Sequence, residues 1–535
     1  MSKTYDYIIV GAGSAGCALA WRLSREASHR VLLLEAGGRD SHPMIHVPLG
    51  FAFLMKNPKV NWCYHTEPEA EMNGREIAWP RGKVLGGTSS INGMVYIRGQ
   101  REDYDSWAAA GNPGWSYDDM LPYFKRSEHN VNGANAYHGT GGPLWVDNVA
   151  NKFEMANLFV QAGVETGIPP NADFNGEHQE GVGFYQVNIR HGLRQSTART
   201  FLKLCEKRPN LSVETGALAT RILFDGKRVR GLRYRVNGEE RVAHCRGEVI
   251  LCGGAINSPQ LLELSGIGDG ERLQQLGIQT VSHLPGVGEN LQDHLTVNIQ
   301  QGLKGVDTFY QETRPLAMLG NIARFLFRRS GLLAHPAAQV GAFFRSSDEV
   351  DRPDAQIHFA PAAGEYNEKG VMVTVPGTTA TVCYLRPTSR GSVHVRANDA
   401  SVYPAIRANY LSTEHDRQRT VAAMRKTRDI FMAPSLQRYR GHEILPGAHV
   451  HSDTDLLNYA RDKGESVYHP VGSCKMGRDA DAVVDAQLRV RGVEGLRVAD
   501  ASIMPSILSG NTNAACIAIA EKCADMVLRD RNRPH

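Results

Sequence analysis

The chain has 535 residues, 42 % of them hydrophobic and 22 % charged, with a formal net charge of +4. That balance, at the length of two or three domains, supports a large core and excludes a disordered chain. No basic stripe of the kind that follows a nucleic-acid backbone is present, and nine cysteines without a CxxC pair exclude a disulfide framework. The N-terminus runs straight into strand-like sequence without a signal-peptide pattern, and no apolar run reaches roughly 18 residues. The expectation is a cytoplasmic protein without a transmembrane span, with peripheral attachment to the inner face of a membrane left open.

In chain order, YDYIIV (Tyr5–Val10) is a buried strand, a glycine turn leads into a helix at Ala15–Arg25, and RVLLLEAG (Arg30–Gly37) is a second strand. This βαβ opening calls for a parallel sheet. Met44–His65 is rich in large apolar groups, which suits either the wall of an access channel or packing between domains. The stretch from Glu214 to Ala255, with turns at DGK and NGE, reads as a β-meander feeding the buried strand Glu248–Cys252. GAINSPQLLELSGIG (Gly254–Gly268) predicts a helix starting at Ser258-Pro259, a good cap followed by proline in the first turn. Pro315–Leu333, with Arg314, Arg324, Arg328 and Arg329 in or beside it, predicts a helix with one apolar face; a half-buried helix is preferred to a membrane-surface one. Leu496–Pro505 is a buried strand with a loop, and Thr512–Leu528 a long helix carrying Cys516 and Cys523 on one face as small core residues.

The fold expected is α/β (α+β overall): a Rossmann-type dinucleotide domain from residues 1–150, 213–295 and 463–535, with a mixed domain built on an antiparallel sheet inserted as residues 151–212 and 296–462.

GAGSAG (Gly11–Gly16) fits G-x-G-x-x-G between a strand and a helix. Gly11 permits the tight turn, Gly13 lets a pyrophosphate approach, and Gly16 lets helix and strand pack. The helix start offers free N–H groups to phosphates. Glu35, ending the second strand, suits ribose hydroxyls and favours a cofactor without a 2′-phosphate. These residues do not separate FAD from NAD. A second cluster, GKVLGGTSSINGMVYIRGQREDYD (Gly82–Asp105), places Gly86, Gly87, Thr88 and Ser89 where backbone can pass a flat, bulky group. Near the end, SVYHPVGSCKMGRD (Ser466–Asp479) holds His469 before a proline, which restricts its backbone. Cys474 and Met476 are too few to make it a metal site, and none is expected.

With both glycine signatures, LPGVGENLQDH (Leu284–His294), LRPTSRG (Leu385–Gly391) and ADASIMPSILSGNTNAACIAIAEK (Ala499–Lys522), the chain resembles the glucose–methanol–choline (GMC) family of FAD-dependent alcohol oxidoreductases over nearly its whole length. The resemblance implies FAD, held by Gly11, Gly13, Ser14, Ala15, Gly16, Glu35 and Ala36. It adds Arg81, Gly86, Gly87, Thr88, Ser89, Asn92, Gly93, Met94 and Val95 from the second cluster. Ala219, Gly253, Asp500, Ala501, Asn511 and Thr512 complete the cofactor set. It also implies that His469 takes the hydroxyl proton while the α-hydride moves to flavin N5, with Asn513 as the substrate-orienting partner; histidine has a suitable pKa for that base. Backbone N–H groups near Asn511 and Thr512, at the positive end of the last helix, would stabilise charge on the flavin.

Two departures narrow the expectation. Relatives that tether FAD through a histidine in the second cluster have it where this chain has Ile91, so FAD is expected to be non-covalent. Choline-type relatives carry a glutamate that here matches Gln339, which cannot pair with a quaternary ammonium. The expectation is oxidation of a primary alcohol to the aldehyde, with oxygen or a quinone/cytochrome chain as electron acceptor. An aryl-alcohol or hydroxymethylfurfural-type oxidase and a choline dehydrogenase are the alternatives within the class. A hydroxynitrile lyase or a light-driven fatty-acid decarboxylase is the alternative outside it.

Overall fold

A computed structural model describes residues 4–366 and 372–531. Two sheets of seven strands organise it. The first runs Leu211–Thr215, Val31–Glu35, Thr4–Val10, Glu239–Leu251, Arg228–Val236, Ala217–Asp225, with Leu496–Val498 beside Glu239–Leu251. Thr4–Val10 pairs in parallel on both sides, Ile8 opposite Leu32 and Val249. Residues 5–9 are buried, as a parallel strand covered on both faces requires, and Val10 at its end is half-buried. The long strand Glu239–Leu251 joins two halves: its first residues pair antiparallel with the meander and its last ones parallel with Thr4–Val10 and Leu496–Val498. The meander turns lie as the sequence predicts, with Gly226, Asn237 and Gly238 at positive φ. The strand Leu211–Thr215 belongs to this sheet, so a boundary at 212 cuts through an element.

The helix Ser14–Leu23 follows the glycine turn and packs on the C-terminal helix Asn513–Arg531. Arg22 joins them, reaching Glu521 at 2.6 Å and Asp525 at 2.7 Å. Cys523 is in this core, whereas Cys516 reaches the cavity described below. Cys474 and Met476 are also core residues.

The second sheet is antiparallel, ordered Arg440–Leu445, Leu295–Leu303, Gly377–Tyr384, Ala355–Ala360, Val340–Phe344, Gly181–Phe184. The alternation of strand Ala355–Ala360 decides its role. Ala355, Ile357 and Phe359 enter the core, where Phe359 stacks on Phe159 of the helix Glu154–Glu165. His358 and Ala360 point to the other face and line the cavity. The short strand Glu465–Ser466 pairs with the start of Leu295–Leu303, so the chain leaves this sheet directly into the His469 loop.

Two predicted elements differ. The helix expected to start at Ser258 begins at Gly254, placing Pro259 inside it. Ser258 instead bridges two segments: its Oγ accepts from Gly253 N at 3.0 Å and donates to Asp500 Oδ2 at 2.6 Å. The Ala255 carbonyl, which Pro259 cannot bond, accepts from Ser473 Oγ at 2.6 Å. The helix Pro315–Arg328 buries Asn321 and Phe325 but leaves Leu316, Leu319, Leu326 and Phe327 outside, so the preferred packing of its apolar face against the protein is not what the fold holds. No helix among the described residues is long and apolar enough to cross a membrane.

Candidate active site

A single cavity of about 640 Å³ runs from the glycine turn of the first sheet to the exposed face of the second. At its first end, Gly11 has φ +100°, and a Cβ there would stand 2.5 Å from the Cys252 carbonyl oxygen. A Cβ on Gly16 would lie 1.9 Å from Gly11 O, so that residue serves helix–strand contact. Gly13 differs: its Cβ would meet nothing nearer than Gly87 Cα at 3.9 Å, leaving open space beside the helix start. Glu35 accepts from Ala12 N at 2.9 Å and from Gly37 N at 2.8 Å, and keeps lone pairs on the cavity wall. Burial pushes its carboxyl up to about 7, against those two bonds. Open space at a helix N-terminus, with a carboxylate at the next strand end, fits the pyrophosphate and ribose of a dinucleotide. Most of the predicted cofactor residues, Ala219 and Gly253 among them, line this one cavity. Gly16, Gly86 and Ser89 do not; Ser89 Oγ instead donates to Gly86 O and pairs with Thr197, supporting the turn from behind. Ile91 is also on the wall. Asp500 accepts four hydrogen bonds, from Gly254 N, Ser258 Oγ, Ser502 N and Ser502 Oγ. These oppose the upward push of burial on its carboxyl.

The other end is built around His469, 7 % exposed. The loop that carries it is held in a demanding conformation. Tyr468 has φ +70°, with its N–H donating to Ser466 Oγ at 2.7 Å and its carbonyl accepting from Arg81 Nη2 at 2.7 Å. Asp293 clamps the same loop, accepting from His469 N at 2.8 Å, from Ser466 Oγ at 2.5 Å and from Tyr410 Oη. Gln292 and Asn290 tie it on to Pro505, and Gln292 Oε1 accepts from Ile507 N at 3.1 Å.

The imidazole has defined partners on both nitrogens. His294 Nε2 lies 3.0 Å from the Leu385 carbonyl oxygen and must donate to it. Neutral His294 therefore presents a bare Nδ1, 3.1 Å from His469 Nδ1, which donates in turn. His469 Nε2 is left as the acceptor, and Asn511 Nδ2 donates to it at 3.0 Å. Asn511 Oδ1 accepts from Gln356 Nε2 at 3.1 Å, fixing the amide orientation. His358 Nε2 is 3.4 Å from Asn511 Oδ1, and His358 Nδ1 is buried without a partner. Burial drives His294 and His358 down to about 4. Burial also holds His469 well below the usual histidine range, helped by the two neighbouring imidazoles and Arg81.

The expected pairing of His469 with Asn513 is corrected by this geometry. Asn513 is the first residue of the last helix and turns toward the other end of the cavity, where its Oδ1 accepts from Ser14 Oγ at 2.6 Å. Two residues earlier, Asn511 sits in the loop before the helix and reaches the imidazole. Gln339 is also not where the sequence reading puts it. It is buried against His335 and the Phe153 backbone and does not line the cavity. Asp293, His294, Gln356 and His358 were not assigned roles from sequence. ENLQDH did stand inside a quoted motif; a buried Asp-His pair after a glycine turn was the available signal.

Comparisons with known proteins agree with this architecture. GMC oxidoreductase models match residues 5–296 and 387–520. The chain is 45 % identical to alcohol dehydrogenase [acceptor] of Pseudomonas putida, over 98 % of this chain and 96 % of that one. It is 44 % identical to mitochondrial choline dehydrogenase of Mus musculus, over 99 % and 91 %. Its fold superposes on the crystal structure of pyridoxine 4-oxidase from Mesorbium loti with a TM-score of 0.89 at 31 % identity, covering 99 % and 100 % of the two chains. On both sequence and structure, this chain is a member of the GMC oxidoreductase family, an FAD-type oxidoreductase acting on CH–OH donors.

Proposed function

We propose that the protein oxidises an uncharged primary alcohol to its aldehyde, with His469 as the base and Asn511 as the group that orients the substrate oxygen. The observation carrying this reading is the directed hydrogen-bond chain from Leu385 through His294 and His469 to Asn511. It leaves neutral His469 with its basic nitrogen, Nε2, on the cavity side. A hydroxyl inserted between His469 and Asn511 donates its proton to Nε2 and accepts from Asn511 Nδ2. The amide then stabilises the alkoxide charge that grows as the proton leaves. His294 keeps Nδ1 of His469 protonated, so the proton arrives at Nε2 and nowhere else. FAD, when bound, supplies the two-electron acceptor for the hydrogen on the carbinol carbon. Ile91 offers no nucleophile for attachment, and the cofactor is read as non-covalent; acid precipitation should release it into the supernatant.

The substrate side favours a neutral alcohol over choline. The lining that accompanies His358 is of small or apolar groups, Ala337, Ala338, Ala360, Ala362 and Phe309, with the neutral hydroxyls of Thr379 and Thr381 on the adjacent strand. Among the described lining residues, the carboxylates are Glu35, at the nucleotide end, and Asp500, already bonded four ways. Trp62, the strongest cation-binding ring on the wall, stacks on Tyr64 at 5.6 Å and carries Lys83 Nζ 4.4 Å from its centroid. Phe51, Phe309 and Tyr468 also line the cavity, but among the described lining residues no free carboxylate stands at this end to pair with a quaternary ammonium. The test is anaerobic bleaching of the flavin band, in the dark, with a panel of aliphatic and aryl primary alcohols and choline. Fast bleaching by a neutral alcohol and slow bleaching by choline is expected. The reverse order would sink the substrate assignment, and no bleaching at all would return the lyase or light-driven readings. Recovery on admitting air then separates oxygen from a quinone or cytochrome acceptor.

A further inference from the structure

The helix Pro315–Arg328 is turned inside out relative to an ordinary surface helix. Its inward face carries Asn321 and Phe325. Its outward face, in helical register, carries Leu316, Leu319, Ala323, Leu326 and Phe327. Leu316 and Phe327 are 84 % and 87 % exposed, beyond what scattered surface residues explain. Arg324 and Arg328, one turn apart and exposed, flank one edge of this stripe, and exposed Arg314 and Arg329 close its two ends. From residue 313 to residue 334 there are four arginines and no carboxylate. The inward anchoring is specific: Asn321 donates to Glu312 Oε2 at 2.7 Å and accepts from Leu332 N at 3.2 Å. The apolar side is therefore held outward by the fold.

A second segment continues the surface. The turn Leu332–Ala334 after this helix packs on the turn Pro48–Gly50. The short helix Phe51–Leu54 that follows points Phe53 into solvent, with exposed Lys56 and Lys59 beyond it. Leu49, Phe51 and Met55 of this segment, and Phe309 from the turn before Pro315–Arg328, line the active-site cavity. The exposed apolar and basic side chains thus stand around one end of the cavity wall.

We infer that this face docks on an anionic phospholipid surface, with the leucine and phenylalanine stripe at the acyl boundary and the arginines and lysines on headgroup phosphates. An apolar stripe edged along the helix by arginines, with Glu312 turned to the inward-facing Asn321, matches an interfacial helix. A protein partner would need acidic groups interleaved with apolar ones, whereas a bilayer supplies both in layers. Docking in this orientation sets the cavity wall against the membrane, so an alcohol or electron acceptor dissolved in lipid reaches the site without crossing water. The docking itself does not rest on the alcohol reading, because it can be measured without substrate.

The test is co-sedimentation of the FAD-loaded protein with vesicles of phosphatidylcholine alone and of phosphatidylcholine mixed with phosphatidylglycerol. Binding to the mixed vesicles, weakened by salt, is expected. Leu326→Glu/Phe327→Glu should lower it about tenfold or more, and Arg324→Glu/Arg328→Glu should remove the preference for phosphatidylglycerol. All four side chains are exposed, so both variants should keep their flavin spectrum and their dye-coupled rate with a water-soluble alcohol. Failure of the native protein to sediment, equal binding to neutral vesicles, or native binding by both variants would each overturn the proposal. Self-association of the native protein that Leu326→Glu/Phe327→Glu abolishes, without vesicle binding, would assign the face to a second copy and overturn it equally.

Discussion

The two ends of the cavity are built by different means. The nucleotide end is made mostly of backbone, a six-residue glycine turn and a helix start, joined by the one side-chain carboxylate of Glu35, all within the first 35 residues. The catalytic end is made of side chains from distant segments. His469 meets His294 across 175 positions and Asn511 across 42. Backbone sites tolerate little substitution but need few partners. Side-chain sites depend on each partner's rotamer and tautomer, which supporting residues must fix. Substitutions at the two ends should therefore fail in different ways.

The largest effect is expected at the catalytic end. His469→Ala should retain FAD and lose about 10²–10⁴ in the rate of flavin reduction by alcohol, measured by stopped flow. A rate within a few-fold of native would contradict its assignment as base. His294→Ala should cost less, about tenfold, because the base remains while its tautomer is released. That variant should also alter the pH dependence of flavin reduction, a readout that loss of packing alone would not move.

At the nucleotide end the glycines separate by role. Gly13→Ala adds a methyl into open space and should leave the apoprotein's melting temperature unchanged while weakening FAD retention. Gly16→Ala drives a methyl to 1.9 Å from Gly11 O and should destabilise the apoprotein itself, by roughly 1–3 kcal/mol or more. Equal melting losses in the two variants would remove the distinction.

The most gradual effect, spread over about two pH units and hardest to read from any single sample, is on stability with pH. His294 and His358 are held near 4 in the fold and titrate near 6.5 when unfolded. Between those values the unfolded chain binds protons that the folded chain refuses. Their contribution is present above pH 6.5 and is lost as pH falls to about 4, on the order of 1–3 kcal/mol for each group. A melting temperature that stays flat over that interval would contradict the buried neutral imidazoles.

What the sequence revealed follows the same division. Gly11, Gly13 and Glu35 were legible because their function is a spacing along one short βαβ unit. The second sheet was legible only as a kind of region, since its pairings join strands far apart in the chain. His469 was found through family resemblance, but its partner was displaced by two residues. GNTNAAC offers two asparagines near a helix start, and only the helix boundary at Asn513 decides which one faces the imidazole. Gln339 stands one residue before the strand Val340–Phe344 and turns its amide to His335, a side-chain direction that its place in the motif does not show. The outward stripe of Pro315–Arg328 follows from the 3.6-residue period, yet period alone does not say which side faces the protein.

The central claim is the pairing of His469 with Asn511, and Asn511→Ala beside Asn513→Ala tests it most directly. Single-turnover reduction of the bound flavin by one neutral primary alcohol should slow by at least about tenfold in Asn511→Ala. Asn513→Ala should stay within a few-fold of native, with its effect confined to FAD retention through the lost Ser14 bond. The opposite ranking, with Asn513→Ala slow and Asn511→Ala near native, would contradict the site as described.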